Sequence, residues 1–222
     1  MPWPDIVRFV RQLSHDIRNN LNAAELQSAY IVELTKEEEL QSEIQRLREM
    51  MGEIGTSLQR LTTGLGQISP SFMPYRAADL IEDVQQKVAK DFPDNAPKIK
   101  WQVNVGDTEL EIDPQLLQQT FIELVRNAFQ HETKVSSIEA KVDVEQGRLV
   151  FRLREPKAKF ERSIEHWGHE PLCNVGQGRY GLGLNRARVI IEAHGGDLRA
   201  EFDRGDSILR TTVSLPISRE HK

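Results

Sequence analysis

Three stretches of this sequence place polar side chains at spacings that could do chemistry. The first is Ser14-His15-Asp16-Ile17-Arg18-Asn19-Asn20. If Leu13 and Ile17 share the apolar stripe of a helix, His15 points about 160° away from it at about 100° per residue, toward solvent. An exposed imidazole is what a phosphoacceptor needs. Asp16 beside it can draw a proton from the ring and raise its nucleophilicity, and Asn19, one turn on, can orient a water for attack on a partner's phosphoryl group. The second stretch is Glu123-Leu-Val-Arg-Asn127, where Glu123 and Asn127 stack on one helix face and offer hard oxygen atoms to one Mg²⁺ or its waters. The third is Gly176-Gln-Gly-Arg-Tyr-Gly181-Leu182-Gly183, a glycine-rich loop running into a helix. Such a loop lets a backbone approach closely, and the helix N-terminus supplies amide donors for phosphate oxygens. Each signal is weak alone, since solvated histidines, Glu/Asn faces and glycine turns are ordinary.

The elements that must position these groups follow from periodicity. Ile6, Val10, Leu13, Ile17, Leu21, Ala24, Ser28 and Ile31 step by threes and fours with one slip near Asn20, which predicts a helix to Leu34. Leu40, Ile44, Leu47, Met51, Ile54, Leu58, Leu61, Leu65 and Ile68 predict a second. Thr35 and Glu38 between them have the spacing of a capping box. A hairpin with one apolar stripe per helix cannot bury both stripes alone, so a second copy completing a four-helix bundle is expected, making the protein a homodimer. Breakers at Ser69-Pro70-Ser71-Phe72-Met73-Pro74 predict residues 1–69 as the hairpin, 70–74 as a linker and 75–222 as a second domain. There the pattern alternates. Helices are expected from Ala78 to about Lys90, from Pro114 to about His131, and from about Leu182 to Ala193. Strands are expected at 74–77, 99–105, 110–112, 137–145, 148–154, 197–203 and 207–215. The fold class is α+β, the second domain being an α/β sandwich.

Ser-His-Asp-Ile-Arg-Asn on the first helix of such a hairpin resembles the H-box of histidine kinases, and Glu-Leu-Val-Arg-Asn-Ala resembles the N-box of the kinase, gyrase and heat-shock type ATPase domain. Gly-Leu-Gly-Leu followed by a helix and His-Gly-Gly resembles that domain's G2-box. The three come in the family's order and cover nearly the whole chain. The resemblance implies that His15 carries the phosphoryl group and exchanges it with a response-regulator receiver aspartate. Asp16 and Asn19 match the acid and amide that assist receiver dephosphorylation. It also implies ATP and Mg²⁺, with Asn127 as the metal-binding residue and Glu123, Glu155, Gly181, Leu182 and Gly183 about the nucleotide. Asn20 replaces a proline common in the family, so a straighter helix is expected. A larger departure is the adenine strand: where the family has Asp-x-Gly-x-Gly, this chain has Glu155-Pro156-Lys157-Ala158-Lys159. Two long cations where backbone must lie against a ring should obstruct the base or rebuild the loop. His169-Glu-Pro-Leu172 is a faint echo of the family's lid motif.

Composition narrows the partners. In 222 residues, 29 Lys and Arg are interleaved with 34 Asp and Glu for a net charge of −5, with no basic face for nucleic acid or an anionic membrane. A lone cysteine, Cys173, cannot form an internal disulfide, no export signal opens the chain, and no apolar run approaches membrane-spanning length, so a cytoplasmic protein is expected. Three activities remain in view: a histidine phosphotransferase with weak or absent ATP turnover, a soluble ATP-dependent histidine kinase, and a non-catalytic dimeric scaffold.

Overall fold

The structure is a computed structural model describing residues 3–129, 137–157, 167–168, 175–176 and 179–217. It divides into two compact units, Met1–Gln67 with Asn174–Leu182, and Ile68–Cys173 with Gly183–Lys222.

In the first unit α1 (Trp3–Leu34) and α2 (Glu38–Gly64) run antiparallel. Ties across the pair are Arg11 to the Leu65 carbonyl at 2.8 Å, Arg18 to Gln59 Oε1 at 2.7 Å, and Arg48 to Glu25 at 3.7 Å. With asparagine rather than proline at position 20, every residue there keeps a backbone donor, and α1 continues unbroken through it. The buried stripe agrees with the one expected at Ser28 on α1 and Ile44 on α2 and differs at Ser14, which is buried, and at Leu13, Ala24 and Ile31, which are exposed. Ser14 and Ser28 are small residues at buried positions of α1, and Ile6, Val10, Ile17 and Leu21 are partly buried. The expected capping box does not form. The Thr35 N–H completes the last turn of α1 by donating to the Ile31 carbonyl at 3.1 Å, so Thr35 ends one helix instead of beginning the next. Its Oγ1 accepts from the Glu37 N–H at 3.3 Å, and α2 starts with no side-chain cap. The second helix also stops at Gly64, short of the expected Ile68.

The second unit holds β1 (Met73–Arg76), α3 (Ala77–Asp91), β2 (Ile99–Asn104), β3 (Glu109–Ile112), α4 (Pro114–Phe129), β4 (Ile138–Glu145) and β5 (Arg148–Pro156). After the short strands β6 (Val175–Gly176) and β7 (Arg179–Tyr180), which belong to the first unit, come α5 (Gly183–Ala193), β8 (Asp197–Asp203) and β9 (Ile208–Pro216). A five-stranded sheet runs β2-β4-β5-β9-β8, with β2 parallel to β4 and the other neighbours antiparallel. Every second residue turns inward: Ile138, Ala140 and Val142; Leu149, Phe151 and Leu153; Leu209, Val213 and Leu215. Those faces pack against Leu80, Val84 and Val88 of α3, Leu117, Phe121 and Val125 of α4, and Ile190 and Ile191 of α5. The Phe121 and Phe151 rings lie 4.8 Å apart between α4 and the sheet.

Two helix ends fix where the site residues sit. At the start of α4, Asp113 caps the helix, its Oδ1 accepting from the Leu116 N–H and its Oδ2 from the Ser71 N–H, both at 3.0 Å, with Pro114 in the first turn. Burial alone would raise the Asp113 carboxyl, but the N–H groups of Ser71, Leu116 and Gln115 outweigh it and hold it below the usual carboxylate value. Asp113→Ala is expected to cost about 1 kcal/mol, read as a lower urea midpoint. A carboxyl lowered in the native state stabilises above the unfolded value of about 4, and that share is lost as pH falls through the lowered native value. Asp113→Asn should keep most of the cap and lose this acid dependence. At its far end α5 stops where Gly195, at φ +68°, donates to Glu192 and Gly196 donates to Ile191, both at 2.9 Å.

Candidate functional site

His15 stands on the outer face of α1 immediately after buried Ser14, with 67% of its side chain exposed. Burial of Ser14 against α2 turns the next residue about 100° round the helix and out into solvent. Both neighbours expected to assist it address the same ring atom. Asp16 Oδ1 lies 3.4 Å from His15 Nδ1, and Asn19 Nδ2 lies 3.3 Å from it. Gln12, one turn before Asp16, donates to Asp16 Oδ1 at 2.9 Å and steadies the carboxylate. A protonated Nδ1 donates to Asp16 and a bare one accepts from Asn19; in the first tautomer the lone pair sits on Nε2, which has no hydrogen-bond partner among the described residues. The geometry is that of an imidazole oriented from behind and open in front.

The second cluster lies on α4 and the start of α5. Asn127 Nδ2 donates to the Glu123 carbonyl at 2.9 Å and reaches Glu123 Oε1 at 3.5 Å, leaving Oδ1 as the oxygen it can offer a cation. Arg126 Nη1 clamps Glu123 Oε2 at 2.6 Å, a partner that sequence reasoning missed although its three-residue spacing was visible. Burial pushes the Glu123 carboxyl up, while Arg126 and Asn127 pull it down. Gly183 completes the group: a Cβ there would stand 1.9 Å from Glu123 Oε1, so any other residue would push that carboxylate aside. Gly181 takes φ +62° in the bend before it, and Leu182 is buried.

The third element is the end of β5. Leu149, Phe151, Leu153, Glu155 and Lys157 alternate inward along one strand face, which carries a carboxylate and an ammonium into the same buried layer. Lys157 Nζ donates to Glu155 Oε1 at 3.0 Å, with the two side chains 9% and 5% exposed. Burial pushes the Glu155 carboxyl up and Lys157 opposes it. Lys157 therefore turns inward and takes the carboxylate. The alternation ending in Arg154-Glu155-Pro156-Lys157 carried this signal, which the comparison with a glycine-bearing loop passed over. Lys159 and His169–Leu172 lie outside the described residues.

These residues can be tested against the ATP and Mg²⁺ that the resemblance implies. Asn127 Oδ1 and Glu123 suit the metal end, where Mg²⁺ typically takes one or two protein oxygens and completes its shell with phosphate and water. At the base end the residues do not fit a purine, because the carboxylate that would accept its amine already holds a cation of its own chain.

Residues 112–219 match the family model described as histidine kinase-, DNA gyrase B- and HSP90-like ATPase. The sensor histidine kinase ZraS of Klebsiella oxytoca is 24% identical over 215 residues, covering 95% of this chain and 46% of that protein. The chain thus spans about half the length of this curated relative. Among solved structures, full-length ShkA in complex with AMPPNP aligns with a TM-score of 0.69 at 19% identity, over 95% of this chain and 46% of that one. The Acinetobacter baumannii histidine kinase AdeS aligns with a TM-score of 0.56 at 15% identity, over 90% and 95%. Both show a shared fold. Among the described residues no helix is long and apolar enough to cross a membrane.

Proposed function

We propose that the chain is a two-component phosphorelay protein with a histidine-kinase core and an ATPase domain, in which His15 takes a phosphoryl group from a receiver aspartate and returns it to another. The observation that carries the reading is the His15 geometry, exposed and flanked at Nδ1 by Asp16 as acceptor and Asn19 as donor, one for each tautomer. In the forward step Nε2 attacks phosphorus. The P–N bond forms as the acyl phosphate P–O bond breaks, and the receiver carboxylate departs with the bonding pair. Asp16 stabilises the positive charge that builds on the ring, and transfer onward reverses the step. Asn19 is placed to hold a water when the phosphoryl group is on the receiver. An ATPase domain implies nucleotide binding; with Glu155 already paired, ATP turnover is weak or absent in this reading.

A second reading is favoured by the Glu123, Asn127 and Gly183 cluster, which keeps the metal end of an ATPase site: an active soluble ATP-dependent histidine kinase. Two incubations separate the readings. One uses γ-labelled ATP with Mg²⁺, the other a phosphorylated receiver domain, and acid-labile label on the chain is counted. Label from the receiver alone supports the first reading, label from ATP the second, and label from neither leaves the scaffold.

The bundle is read as a homodimer. Leu26, Tyr30, Leu34, Leu40, Leu47 and Ile54 are exposed toward the hairpin loop, and a second hairpin is the occupant whose stripe matches theirs in length and spacing. Leu47→Glu removes about 1.5 kcal/mol or more of apolar burial per copy, twice in a symmetric dimer, so roughly hundredfold weaker association is expected in sedimentation equilibrium. A monomeric wild type at micromolar concentration would overturn the dimer.

A further inference from the structure

We propose that Lys157 is an internal occupant of the base subsite: its ammonium fills the place an adenine amine would take on Glu155 and holds the ATPase domain closed to adenine nucleotides. This deepens the reading above by naming the residue behind weak ATP turnover.

Three observations carry it. The strand parity that buries Leu149, Phe151 and Leu153 continues through Glu155 to Lys157, so the pair is aimed into the domain by the sheet itself. The Lys157 N–H donates to the Ser207 carbonyl at 2.7 Å, one step beyond the Pro156–Ile208 pair that ends the β5–β9 register, so the stem of the side chain is anchored by the ladder. Finally, Glu155 Oε2 is buried with no hydrogen-bond partner among the described residues, so Lys157 Nζ on Oε1 is the donor this carboxylate meets among them.

Competition then decides the occupant. A purine amine is a neutral donor, whereas the lysine bond is charge-assisted and roughly twice as strong. Displacing Lys157 would also break a buried ion pair, which is strongly destabilising when one partner is lost. Because the Glu123, Asn127 and Gly183 cluster remains assembled, the block is local to the base end.

The test is calorimetric titration of the full-length chain with Mg-ADP. The wild type is expected to show no binding at millimolar nucleotide. Lys157→Gly is expected to bind at least tenfold more tightly, with the gain abolished in the double variant Lys157→Gly/Glu155→Ala. Equal behaviour of wild type and Lys157→Gly, whether both bind or neither does, overturns the proposal. Lys157→Ala replaces the glycine variant if its thermal melt loses cooperativity. An independent measurement uses the wild type alone: acetic anhydride labelling read by mass spectrometry should leave Lys157 at least tenfold less modified than exposed Lys100. Equal modification of the two lysines overturns the proposal regardless of how the variants fold. Neither measurement involves His15, so failure here leaves the receiver-exchange result standing, and failure of that exchange leaves this one.

Discussion

His15→Ala reduces acid-labile phosphoryl label from a phosphorylated receiver to background, the largest effect expected of any single change in the chain. The side chain is the nucleophile itself, and no second imidazole on the hairpin can replace it, because His15 is the one histidine in residues 1–69. The fold should not notice: His15 is solvated, and surface substitutions of this kind stay within about 0.5 kcal/mol. Asp16→Asn separates orientation from identity. It keeps the side-chain shape but removes the charge that favours the Nδ1 proton, so label should still accumulate, about a hundredfold more slowly, in line with the typical contribution of a positioned acid or base. Quench-flow gel counting of wild type, His15→Ala and Asp16→Asn with one receiver decides this. Wild-type label persisting in His15→Ala would move the phosphoacceptor elsewhere.

Phe121→Ala is expected to cost about 3–5 kcal/mol, the usual penalty for truncating a fully buried aromatic residue. Phe121 is wholly buried and stacks on Phe151, so its loss opens a cavity between α4 and β5. Those two elements carry Glu123, Asn127 and Glu155. A loss of that size is a large part of the roughly 5–15 kcal/mol that holds a domain together. Urea denaturation followed by tryptophan fluorescence should show the change, since Trp101 also lies near Phe151 with ring centroids 6.4 Å apart. An unchanged midpoint would mean the two rings are not the joint between helix and sheet.

Much of this was legible in the sequence because two simple periods govern it. Steps of three and four placed both hairpin helices, and steps of two placed the strands of the five-stranded sheet within a residue or two. His15 was legible as exposed because helix geometry converts one apolar stripe into a direction for every other side chain. Ser28 was legible on the stripe, and Ser14 was not: a period reports which side faces inward, while the choice of a small residue for close helix approach depends on the partner helix. Thr35 misled because a capping box and the end of the preceding helix compete for the same residue, and its N–H had already been used. Lys157 was expected to obstruct the base or rebuild the loop, and its burial against Glu155 was not foreseen. Charge argued for solvent, alternation argued for the interior, and a partner two residues away settled the contest in favour of alternation.

Strand alternation has a parity, and the Glu155–Lys157 pair inherits it. One residue, Pro156, separates the two, and its cyclic side chain lies to the other side of the sheet. A point substitution at Pro156 leaves that count unchanged. Deleting Pro156, or inserting one residue beside it, would swing the cation to the outer surface while leaving the carboxylate inside. For a lineage of such chains, gain or loss of a single codon at this spot would open the base site as replacing Lys157 would, while leaving both residues of the pair unchanged.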